Sequence, residues 1–317
     1  MLRELLRIPF LDVPLYSFGL MLVLGCWLAI QLAQFLAKRS GLNPEHFVSV
    51  GILALVSGVV GARASHVLEN WDVYFGARGQ GLLSAINIRS GGLTYYGGVI
   101  LATPFCMWYA FRHKIPIRRG MDIIAPCLMI GLALGRVGCF LNGCCWGEVS
   151  EVRSPVGVTF PYYSGPYLEH VSDGTITPDP RLYRFDPTTG RERLVTPNEA
   201  EADPALREIA AKERSLRVIN TQLISTVTAL LIAAITTAFF TLYTVPGRGF
   251  ALMIMLEGVT RTLIEGLRVE PKVLGPLTLS MCIGIGVALC GVAMWFLAPR
   301  LRDLHGFGER PGYPAVA

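Results

Sequence analysis

The sequence predicts an all-α polytopic membrane protein of about seven transmembrane helices with a small extramembrane cap. Three observations carry this. Of the 317 residues, 52% are hydrophobic and only 16% charged, and the mean hydropathy is +0.48, well outside the norm for soluble domains. Apolar runs of roughly 20 residues, the length that crosses a bilayer core, recur along the chain. One long hydrophilic segment, 148–217, carries twelve acids against nine bases and interrupts them.

The chain opens with MLRELLRIPFLDVP, which mixes charge with hydrophobes and reads as a short amphipathic lead on the membrane surface. The first span covers about 16–37 and is stopped by Lys38 and Arg39. The second, about 47–68, carries Arg63 and His66 near its end, one turn apart on one face. A polar connection with Trp71, Asp72 and Arg89 leads to SGGLTYYGGVI, which starts a third span at 90–111. Paired glycines flank Tyr95 and Tyr96 there. They permit a tightly packed helix start, while an interfacial aromatic belt explains the tyrosines equally well. The basic loop 112–119 precedes the fourth span, about 122–141. Within the hydrophilic segment, PDPRLYRFDPTTGRERLV has the pattern of a small hairpin. A fifth span at about 219–243, a sixth at 250–267 and a last at 277–297 complete the set.

The expected organisation is therefore 1–147 with four spans, a cap at 148–217, 218–298 with three spans, and a tail at 299–317. Basic short loops at Lys38, at Arg112 to Arg119, at Arg248 and in the C-terminal tail fall on one side. The positive-inside rule makes that side cytoplasmic and puts the N-terminus and the cap outside. The same bias accounts for the net charge of +5, so no nucleic-acid partner is expected.

Two stretches break the apolar pattern. In GLALGRVGCFLNGCCWG, 131–147, Arg136 stands among small residues in a segment that should lie in lipid. An arginine at the hydrocarbon centre costs roughly 2.5–3.5 kcal/mol even on the lenient insertion scale, so it normally faces a polar cavity, a partner or a ligand. Gly135, Gly138 and Gly147 allow close approach to it, and Asn142 and Trp146 sit at headgroup depth. The competing reading is an arginine that snorkels from a helix end beside packing glycines.

In EGVTRTLIEGLRVEP, Glu257, Arg261, Glu265 and Arg268 follow at intervals of four, four and three, which places them on one helical face. Such a stripe must line a polar interior. Glu257 or Glu265 can neutralise Arg261, but Arg63, Arg136, Arg261 and Arg268 together outnumber the acids near them. The planar arginine fork grips phosphate in a bidentate manner, so this excess points to a phospholipid site. Cys139, Cys144 and Cys145 lack a fourth ligand and a second spaced pair, so no zinc or other metal is expected. Packing accounts for them, with a bridge from Cys139 to one of the other two as the alternative.

These motifs resemble those of the bacterial prolipoprotein diacylglyceryl transferase family. The signature GRxGxFxNGxxWG is matched by Gly135, Arg136, Gly138, Phe140, Asn142, Gly143, Trp146 and Gly147. Further matches are GAR ending at Arg63, GGLTYYGG through Gly97 and Gly98, Gln222-Leu223, and RTLIEGLR from Arg261 to Arg268. The resemblance implies seven spans in a bacterial inner membrane, with phosphatidylglycerol and a prolipoprotein signal peptide carrying a lipobox cysteine as substrates. It implies transfer of the sn-1,2-diacylglyceryl group to the cysteine thiol with release of glycerol phosphate, and no cofactor. Arg136, Arg261, Tyr96 and Glu265 would be catalytic. Arg63, Gly97, Gly98, Gly135, Gly138, Asn142, Gly147, Glu257 and Arg268 would bind substrate. Where the family has a histidine before the paired glycines this chain has Tyr96, and Cys139, Cys144, Phe18 and Glu257 are further departures. A membrane lipid-binding or transport protein that retains the arginine pocket is the alternative function.

Overall fold

The computed structural model describes residues 4–8, 13–76, 81–87, 92, 94–151, 154–186, 190–242, 245–268 and 272–300. The lead folds as a strand pair. Strands β1 (Glu4–Ile8) and β2 (Val13–Tyr16) pair antiparallel, with Ile8 opposite Val13; the prolines at 9 and 14 break any helix through this stretch. Helix α1 (Ser17–Arg39) follows directly, and α2 (Pro44–Glu69) starts where the Asn43 side chain accepts from Glu45 N–H at 3.0 Å. The polar connection folds into two short helices, α3 (Trp71–Phe75) and α4 (Gly81–Ile86). Then come α5 (Tyr95–Arg112) and α6 (Ile117–Asn142), the latter starting a turn and a half before the expected span.

Within the hydrophilic segment lie β3 (Gly157–Val158), α7 (Gly165–Ser172), the predicted hairpin β4 (Tyr183–Asp186) and β5 (Arg191–Leu194), and helices α8 (Pro197–Ala202) and α9 (Pro204–Lys212). Strand β6 (Val218–Ile219) leads into α10 (Thr221–Thr241), and α11 (Arg248–Glu265) follows. A hairpin of β7 (Lys272–Leu274) and β8 (Leu277–Thr278) turns into α12 (Leu279–Leu297).

Among the described residues five helices, α1, α2, α6, α10 and α12, are long and apolar enough to cross a membrane. Their surfaces carry unburied side chains such as Val23, Trp27, Val60, Leu230 and Leu289. Water would not tolerate so much contiguous apolar area, and lipid does. The chain divides into two compact units along these helices, one of Met1–Gly25, Met129–Ala234 and Ile254–Gly291, the other of Cys26–Leu128, Ile235–Met253 and Val292–Ala317.

In the first unit, Gly138 brings α1 against α6: a Cβ there would sit 3.0 Å from the Phe18 ring and 3.3 Å from Met21 Cβ. The cap has its own core of Leu182, Val195, Ala200 and Leu206. Its two ends are tied together. β3 and β6 pair antiparallel, Gly147 N–H donates to Ile219 O at 3.0 Å, and Ser150 N–H donates to Arg217 O at 2.7 Å. Helix α8 opens with a capping box in which Glu199 accepts from Thr196 N–H at 2.8 Å and from Arg193 at 2.7 Å. These bonds hold the Glu199 carboxyl well below the usual carboxylate range, the Arg193 partner contributing most.

In the second unit, α2 and α5 touch backbone to backbone. A Cβ on Gly61 would meet the Gly97 carbonyl, and one on Gly98 would lie 2.9 Å from Gly58 O. Buried Asp122 accepts from Gly247 N–H at 2.7 Å and Phe250 N–H at 3.0 Å, satisfying donors at the start of α11. Those donors have no intrahelical partner.

Candidate active site

The first unit has a narrow cleft that Arg136, Glu257, Arg261, Glu265 and Arg268 all line. The intervals of four and four put Glu257, Arg261 and Glu265 on one face of α11. That helix ends at Glu265, so Arg268 reaches the cleft from the following turn and not from a continuing helix. Arg268 Nη1 donates to Glu265 Oε2 at 3.3 Å, and both side chains are largely buried. Glu265 is thus the partner of Arg268, not of Arg261. No hydrogen bond or ion pair among the described residues holds the Arg136 guanidinium, and Arg261 Nε is buried with no hydrogen-bond partner. Buried polar groups without partners are rare and costly, so the Arg261 Nε in this condition, beside an Arg136 guanidinium that makes no hydrogen bond among the described residues, marks an anion-seeking site.

Four hydroxyls complete the wall: Thr221, Ser225 and Thr228 from α10, and Thr260 from α11. The sequence reading missed them. Their signal was available, since intervals of four and three put Thr221, Ser225 and Thr228 on a single face of an otherwise apolar helix. Gln222, which the motif comparison marks, bonds elsewhere: its Nε2 donates to Cys144 O at 2.8 Å, while Thr221 Oγ1 donates to Cys145 O at 2.7 Å. These two bonds fasten the turn after α6, where Gly143 and Cys145 have φ of +71° and +63°. The Cys145 thiol, beyond the end of α6, is pulled below the ordinary thiol range, first by hydrogen bonds with Cys139 and Cys144 and further by Arg136 and Arg268.

The remaining expected residues stand outside the cleft wall. Asn142 closes α6. Gly135 has open space where a Cβ would be, and Gly147 packs, its Cβ position lying 2.7 Å from Leu267 O and 2.8 Å from Thr221 Cγ2. Trp146 lies over Gly165 of the cap, where a side chain would strike its ring.

Arg63, Tyr96, Gly97 and Gly98 belong to the second unit. Arg63 is 7% exposed, and its fork donates to three carbonyls, Ala85 and Ser84 at 2.7 Å each and Gly92 at 3.0 Å. Its guanidinium also lies 5.2 Å from the Tyr74 ring centroid. Tyr96, in the first turn of α5, is 40% exposed. Beside it Thr94 Oγ1 donates to Glu69 Oε2 at 2.8 Å, and Gly97 packs against Gly61 and Ser65.

A multi-pass helical membrane protein whose cleft holds three arginines against two glutamates is the class these features define. The family model for prolipoprotein diacylglyceryl transferase matches residues 4–297, and the chain belongs to that family. Among similar proteins is a phosphatidylglycerol–prolipoprotein diacylglyceryl transferase of Rhodopirellula baltica, 30% identical over 187 residues, 58% of this chain and 38% of that protein. One of Dehalococcoides mccartyi is 32% identical over 47% of this chain and 56% of its own, and one of Deinococcus radiodurans is 25% identical over 88% and 75%. The matched stretch thus spans well under two thirds of the first two relatives' length.

Proposed function

We propose that this chain transfers the sn-1,2-diacylglyceryl group of phosphatidylglycerol to the lipobox cysteine thiol of a prolipoprotein. The cysteine sulfur forms a bond to the glyceryl carbon. The carbon–oxygen bond to phosphate breaks, and glycerol phosphate leaves with the bonding electron pair. The observation that carries the reading is the cleft in which Arg136 and Arg261 have unanswered donors while Glu265 occupies Arg268.

Arg136 and Arg261 hold the phosphate and meet the charge that grows on it as the ester bond breaks. Fixed donors aimed at developing charge are the largest single source of rate in such reactions. Glu265 positions Arg268, whose remaining donors also face the headgroup. The Thr221, Ser225, Thr228 and Thr260 hydroxyls bind glycerol oxygens. Glu257 is the carboxylate available to take the thiol proton, directly or through water, and Tyr96 is carried as a second candidate by its place before the paired glycines. Gly97 and Gly98 allow the α5 start to approach α2. Gly135, Gly138, Asn142 and Gly147 shape the end of α6, and Arg63 fixes the segment before α5. No cofactor enters.

The same proposal places seven spans in a bacterial inner membrane, α5 and α11 being the two beyond the five apolar ones. The N-terminus and the 148–217 cap lie outside and the C-terminal tail lies in the cytoplasm.

The test is mass spectrometry of a lipobox peptide incubated with the purified protein and phosphatidylglycerol. A thioether-linked diacylglyceryl mass gain is expected, with none when the peptide cysteine is serine. Lipid binding without that product would replace transfer by lipid binding or transport as the function.

A further inference from the structure

Cys139, Cys144 and Cys145 have no part in the proposed transfer, yet their three sulfurs lie within 4.8 Å of one another and none is in a disulfide. Helix α6 contributes Cys139 from its last turn. The chain then reverses through Gly143 and Cys145 in left-handed conformations, with Cys144 N–H donating to Cys139 O at 3.1 Å. A residue with a side chain at positive φ costs of order 1 kcal/mol or more and persists only when its surroundings enforce it. Here Thr221 and Gln222 clamp the Cys145 and Cys144 carbonyls. Plain packing needs none of this, because one apolar side chain would fill the space.

We propose that Cys139, Cys144 and Cys145 form a trigonal thiolate site for a soft monovalent cation, copper(I) in class. A metal–thiolate bond of about 2.3 Å sets the sulfurs of such a site about 4 Å apart, inside the observed span. Sulfur ligands alone select soft ions. Zinc wants a fourth ligand, and among the described residues no histidine or carboxylate joins the cluster. Binding releases to solvent whatever protons the three sulfurs still hold and moves no electrons. The inference does not rest on the transfer reaction.

The experiment loads the anaerobically reduced, full-length protein with copper(I) in competition with a chromophoric copper(I) chelator. X-ray absorption is then read at the copper edge of the wild-type protein. One copper per chain and a shell of three sulfurs are expected. Cys145→Ser and Cys139→Ser should each lower retention more than tenfold, while Cys282→Ser with Cys290→Ser leaves it unchanged. Retention unaffected by either site variant, or a two-sulfur shell, would overturn the proposal. So would a Cys139 disulfide to Cys144 or Cys145 trapped by alkylation in freshly isolated membranes.

Discussion

Replacing Arg136 by alanine separates chemistry from folding, because no hydrogen bond or ion pair among the described residues depends on that guanidinium. Its removal breaks no direct hydrogen bond or ion pair among the described residues, and Glu257 and Cys145 lose only a nearby cation, so stability should change by about 1 kcal/mol. The bound phosphate, by contrast, loses up to two charge-assisted hydrogen bonds, each worth about 1.5–3 kcal/mol. Taking about 3–4 kcal/mol at the barrier, with roughly 1.4 kcal/mol per decade, turnover should fall about 10²–10³-fold. Arg136→Lys keeps the charge without the fork and should fall between the two. The assay is the initial rate of thioether formation on a lipobox peptide, with thermal unfolding in detergent run beside it. A rate within threefold of wild type, or a rate loss matched by a large drop in melting temperature, would refute the reasoning.

Gly61→Ala should destabilise the α2–α5 contact by about 1–3 kcal/mol, as overpacking does, because its Cβ would meet the Gly97 carbonyl and come within 2.6 Å of Leu101 Cβ; thermal unfolding reads it. Arg63→Ala leaves the Ala85, Ser84 and Gly92 carbonyls without their donor and should speed hydrogen exchange in α3 and α4 while sparing α12. Glu199→Gln tests linkage in the cap. The native carboxyl is held below its unfolded value of about 4.3, so its contribution is full above that pH and is lost as pH falls through the folded value. Wild-type cap proteolysis should therefore rise as pH drops below about 4, and the glutamine variant should be cleaved faster near neutrality with a flatter profile.

Residue spacing carried far where it fixes geometry by itself. The 257, 261, 265 stripe reached the cleft because a helix leaves no other option, and the 183–194 hairpin followed from its turn residues and alternation. Spacing does not choose partners. Glu265 lies within reach of both Arg261 and Arg268, and the helix end at Glu265 turned it to the latter. Arg63 looks like any other intramembrane arginine until α4 and Gly92 present it with carbonyls and α3 with the Tyr74 ring. The cleft hydroxyls were overlooked because serine and threonine barely dent an apolar run, and they bond their own helix, as Thr228 Oγ1 does to Ser225 O at 3.1 Å. The amphipathic reading of the lead left its secondary structure open, and its two prolines exclude a continuous helix there.

The closed base of the 148–217 segment has a consequence for how such a protein can change. With Gly147 bonded to Ile219 and Ser150 to Arg217 at its neck, everything beyond is an excursion that returns to its point of departure. Loop-closure cost grows only slowly with length. Insertions, deletions or a grafted recognition module beyond that neck can therefore be exchanged while the end of α6 and the start of α10 keep their spacing. The segment is where a lineage can vary in length and surface while the neck bonds stay as they are.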